Sequence, residues 1–127
     1  MTTRRAAATV VTVALLAFSV SCGGTSQGEP NRAVVPGARL IKVNATSYSF
    51  QPGRITIHAG EDVAIALHSD DTFHDFVVDR VVGHVVGADG GSTAKGGLRI
   101  NRPGTYTFYC SVPGHRSAGM EGTIVVG

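Results

Sequence analysis

The chain has 127 residues, 11 Lys and Arg against 9 Asp and Glu, and two cysteines. That length favours a single domain, and two cysteines allow at most one disulfide. The small positive balance comes from the start of the chain, and no basic run remains beyond it to bind nucleic acid.

Residues 1–5 carry Arg4 and Arg5, and residues 6–20 are apolar and helix-permissive. Fifteen residues fall short of the roughly 20 needed to span a bilayer, so residues 1–21 are read as an export signal. Ser19-Val20-Ser21 suits ordinary signal peptidase, whereas Ser21-Cys22-Gly23-Gly24 resembles a lipoprotein signal with Ser19 in place of the usual aliphatic residue. The lipoprotein reading is favoured, since it leaves no free thiol at the new N-terminus. Cys22 is then lipidated and the chain sits on the outer face of a bacterial cell membrane; a periplasmic or secreted protein is the alternative. Loss of Arg4 and Arg5 leaves nine basic and nine acidic residues, a formal charge of zero.

Residues 22–38, rich in Gly, Pro and polar residues, predict a flexible linker. The folded part, residues 39–127, is large enough to bury a core. "RLIKV", "GRITIHAG" and "VAIAL" are short, rich in β-branched residues, and bounded by Pro52-Gly53 and Gly60-Glu61-Asp62. "FHDFVVDRVV", "GTYTFYC" and "GTIVV" continue the series, while residues 83–98, with six glycines, predict a long loop. This pattern predicts an all-β, antiparallel sandwich or barrel. Alternation places Tyr106, Phe108 and Cys110 on one inward face, and His74 with Phe76 and Val78 on another.

Beyond the strand ending at Cys110 come His115 and Met120, at even intervals of five. A thiolate, two imidazoles and a weak axial thioether are the donors of an electron-transfer copper site. His74 is the best candidate for the second imidazole, lying between Phe73 and Phe76. His58 ends a strand before a turn, His68 precedes polar residues, and His84 reads as a solvent-exposed or interface residue. Zinc sites rarely use methionine, and a Cys–His hydrolase needs an exposed thiol.

"FYCSVPGHRSAGMEGTIVV" resembles the C-terminal signature of the cupredoxins, and its ligand spacing is most similar to the rusticyanin and auracyanin branch. "SFQPGRITIHAGEDVAIAL" followed by "FHDFVV" resembles that family's approach to its first histidine. The resemblance covers about residues 40–127 and implies a Greek-key β-sandwich holding one type 1 copper, Cu(I) or Cu(II), through His74, Cys110, His115 and Met120. Tyr109 would offer a second electron path. Asp75 departs from the Asn or Ser common after the first histidine; it can still accept N–H bonds from the ligand loop, and its charge would favour Cu(II).

The function expected is one-electron transfer between redox protein partners such as a cytochrome, a quinol-oxidising complex or a copper enzyme. The protein would act as a monomer, without catalysis, docking through Pro113, Gly114, Ala118 and Gly119 around His115. The alternative is a lipid-anchored protein that holds or delivers copper.

Overall fold

The computed structural model describes residues 28–127, and the expected signal and Cys22 lie outside the described residues. Nine strands follow in order: β1 (Arg39–Thr46), β2 (Ser49–Gln51), β3 (Arg54–Ile57), β4 (Val63–Ser69), β5 (His74–Val78), β6 (Gly83–Ala88), β7 (Thr93–Leu98), β8 (Gly104–Tyr109) and β9 (Glu121–Val126). They form two sheets, β2-β1-β4-β7 and β3-β9-β8-β5-β6, with no helix among the described residues. The fold is the all-β sandwich expected.

Most pairs are antiparallel, but β1 with β4 and β3 with β9 run parallel. The chain crosses from one sheet to the other between β2 and β3, so β3 lands beside the last strand in the same direction. That is a correction to the wholly antiparallel expectation.

The residues that period-two patterning turns inward meet between the sheets. Phe76 and Phe108 stack with centroids 4.3 Å apart, and Phe50 of the opposite sheet packs edge-on at 6.0 and 5.1 Å from them. Such pairs add about 1 kcal/mol each beyond the area they bury. β5 is buried along its whole length, because β6 and β8 flank it and both of its faces are covered.

Residues 83–98 are two strands joined by a short turn, not the long loop predicted from their glycines. The glycines mark close backbone approach. A Cβ on Gly96 would lie 2.1 Å from the Val85 carbonyl oxygen, and one on Gly97 equally close to that of Ala33. Side chains there would force β6, β7 and the segment before β1 apart.

That preceding segment also differs from expectation. The Arg32 N–H donates to Val85 O of β6 at 2.9 Å, and the Gly97 N–H of β7 donates to Arg32 O at 3.1 Å. The Gly87 N–H donates to Asn31 Oδ1 at 2.8 Å. Residues 31–32 therefore seam the two sheets along their β6 and β7 edges, giving those exposed strands a partner. A backbone strap of this kind leaves no periodic trace in its side chains.

Candidate metal centre

The end of β8, the start of β5 and the loop between β8 and β9 converge at one end of the sandwich. Cys110, one residue past β8, continues the inward face of Tyr106 and Phe108 and is fully buried. His74 opens β5 and is likewise buried. Its Nδ1 lies 3.8 Å from Cys110 Sγ, and His115 Nδ1 lies 3.6 Å from the same sulfur. One donor atom from each of these three residues falls within 4.8 Å of the other two.

The loop holds its shape through its own backbone. The Cys110 N–H donates to Met120 O at 3.1 Å, and the Met120 N–H donates to His115 O at 3.0 Å. Cys110, His115 and Met120 are thus tied together by main chain before any ion binds. The tight path between them needs positive φ at Gly114 (85°) and Gly119 (99°), which other residues adopt with difficulty. Met120 is fully buried, whereas His115 is partly exposed within a collar of exposed Pro113, Gly114, Ala118 and Gly119.

Surrounding groups orient the donors. His74 Nε2 lies 2.7 Å from Asp71 Oδ1. With Nε2 donating there, Nδ1 keeps its lone pair for the centre. Asp75, buried beside His74, accepts the Ser111 N–H at Oδ1 (2.6 Å) and the Ser111 hydroxyl at Oδ2. Its carboxylate thus anchors the residue next to Cys110. The Tyr48 ring meets His115 edge-on at 5.1 Å. Tyr109 is covered by the Arg116 guanidinium, 4.0 Å above its centroid, and Arg116 also reaches Asp79 and Glu121.

Burial pushes the Cys110 thiol up to about 11, with the nearby Asp75 charge adding to the effect. A bare thiolate is therefore unfavourable, and a bound cation is what would draw off the proton. This argues against a free nucleophile. Soft sulfur with two neutral imidazoles and a buried thioether suits copper, so the residues present fit the group that the sequence implied.

The other histidines stand apart. His58 is exposed in the turn after β3. His68 faces outward, bonded to Thr93 Oγ1 at 2.8 Å. Of the two readings of His84, the solvent-exposed one fails: its side chain is 6% exposed, with Nδ1 3.8 Å from Asp75 Oδ2. Both Asp71 and Tyr48 escaped the sequence reading. An acid three residues before a buried histidine was a visible signal for Asp71; Tyr48, far away in the chain, left none.

The family model described as a cupredoxin-like domain matches residues 9–126. Auracyanin-B of Chloroflexus aurantiacus is 30% identical over 109 residues, 80% of this chain and 45% of its own length. Its solved structure superposes with a TM-score of 0.67 at 21% identity, covering 79% of this chain and 96% of that one. Plastocyanin of Dryopteris crassirhizoma is 34% identical over 94 residues, 63% of this chain and 89% of its own. The copper-resistant cuproprotein CopI of Rubrivivax gelatinosus is 28% identical over 122 residues, 80% of this chain and 74% of its own. The chain belongs to the cupredoxin-like family.

Proposed function

We propose that the protein is an exported, membrane-tethered blue copper protein that carries one electron between redox protein partners. The observation that carries this reading is the meeting of Cys110 Sγ with the Nδ1 atoms of His74 and His115 at one end of a rigid sandwich. Copper, when bound, supplies a one-electron couple.

The protein's own residues do the rest. Cys110 offers the thiolate, His74 and His115 the imidazoles, and Met120 the weak axial donor. Asp75 and the main chain of Met120 fix the loop in advance, so little has to move as charge changes. The fully buried Cys110, His74 and Met120 are kept from water, and His115 alone among these donors reaches toward the surface. The exposed collar around it suits a small, short-lived contact with a partner, for which buried area need not be large. Tyr109, next to Cys110, provides a second route outward. Lipidated Cys22 would hold the protein at the membrane, where it would act as a monomer.

A second reading, copper holding or delivery, draws weight from the similarity to CopI. A visible spectrum during Cu(II) titration of the mature chain, followed by ascorbate, tests the site. An intense band at one equivalent that bleaches and returns is expected, and Cys110→Ser should abolish it. Colourless binding would refute the blue-copper assignment. Rapid electron exchange with a soluble cytochrome, without copper loss to an apo-acceptor, separates carrying electrons from delivering metal. Cys22→Ala should release the protein from membranes.

A further inference from the structure

We propose that Asp71 is a positioning residue for both imidazoles of the centre, and that its carboxylate lowers the reduction potential; the second half rests on the copper reading above. The carboxylate is shared between two tasks. Oδ1 accepts from His74 Nε2 at 2.7 Å and from the Thr72 N–H at 2.9 Å. Oδ2 accepts the Ser47 N–H at 2.8 Å. Ser47 precedes Tyr48 in the turn between β1 and β2, and Tyr48 is the ring that packs on His115. One side chain thus binds one imidazole directly and seats the aromatic wall of the other.

The adjacent Asp70 is committed elsewhere, accepting from Asn44 at 2.8 Å and facing His68 at 3.3 Å. Of these two neighbouring acids, Asp71 is the one bonded to a ligand of the centre. Its bond to Nε2 fixes the proton on that nitrogen and leaves Nδ1 aimed at Cys110. An anionic acceptor makes the imidazole a stronger donor than a neutral acceptor would, and the gain is larger for the more highly charged Cu(II). Because Asp71 is 42% exposed, water attenuates the effect without removing it.

Asn at this position would keep one acceptor oxygen and place an amide where the other was, so it cannot serve both His74 and Ser47. In Asp71→Asn, Cu(II) affinity should fall about 10- to 100-fold, the usual consequence of losing such an outer partner. Cu(I) affinity should fall less, so the potential rises while the Cys110-dependent band remains. An unchanged potential would overturn the proposal.

A second measurement needs neither copper nor a variant. Nitrogen-15 spectra of the metal-free mature chain should show His74 protonated at Nε2 with a slowly exchanging proton. A proton on Nδ1 would sink the positioning role even if Asp71→Asn failed to fold. Absence of the blue band in the unmodified protein would count against the copper reading alone, since the metal-free tautomer is read independently.

Discussion

The two histidines of the centre are held in opposite ways. His74 sits in a strand buried on both faces, its ring sealed from water and its far nitrogen tied to Asp71. His115 sits on a loop, partly exposed, its ring leaning on Tyr48. The strand histidine is positioned by the whole sandwich; the loop histidine is positioned by a few local bonds and remains reachable. A single centre thus has a fixed wall and an accessible door.

Cutting away each ring in turn tests this contrast most severely. His115→Ala should lose the blue band and regain much of it when free imidazole is added, because the opening faces solvent. His74→Ala should not be rescued, because a sealed position admits no substitute ring. Equal rescue of both would erase the distinction.

A smaller effect should come from the wall's support. Gly96 lies against Val85 of β6, the strand that flanks β5. Gly96→Ala should lower the stability of the metal-free protein by about 2 kcal/mol or more, read in denaturant melts, because main chain must move to admit the methyl group. An unchanged melt would mean that the wall is softer than its packing implies.

Tyr48→Ala acts on the other histidine and should cost about 1 kcal/mol. Its sharper signature is faster metal loss to a chelator, alongside a fall of about 4–8 °C in the unfolding midpoint. Slower loss would place Tyr48 outside the support of His115.

The smallest effect lies at the far end of the sandwich. Hydrogen bonds from Arg39 and then from the His58 N–H hold the Glu61 carboxyl at about 2, below its ordinary 4.5. The unfolded chain takes up that proton first, so the stabilisation is complete above about 4.5 and fades as pH falls toward 2. Glu61→Gln should flatten that part of the stability curve, slightly and less at high salt, while the centre's spectrum stays the same.

Legibility in the sequence followed distance along the chain. Cys110, His115 and Met120 lie within one short loop, so their spacing could be read directly. His74 required one more step, the alternation that turns it inward with Phe76. The hidden partners act across separate elements: Tyr48 reaches His115 from the β1–β2 turn, and His84 approaches Asp75 from β6. The six glycines of residues 83–98 misled for a physical reason, since glycine signals both chain freedom and tight contact. At Gly96 and Gly97 the second meaning holds, and only the neighbouring strands reveal it.

The seam formed by residues 31–32 also sets where the chain enters the fold. Gly28, just upstream, stands against the Phe73 ring and borders a cleft with Tyr109 and Ser111, so the entry point is at the metal end. If Cys22 carries the proposed lipid, six residue steps separate it from Gly28, a leash of at most about 20 Å when fully drawn out. On so short a leash the centre would sweep a thin layer above the bilayer, and its encounters would become a search in two dimensions.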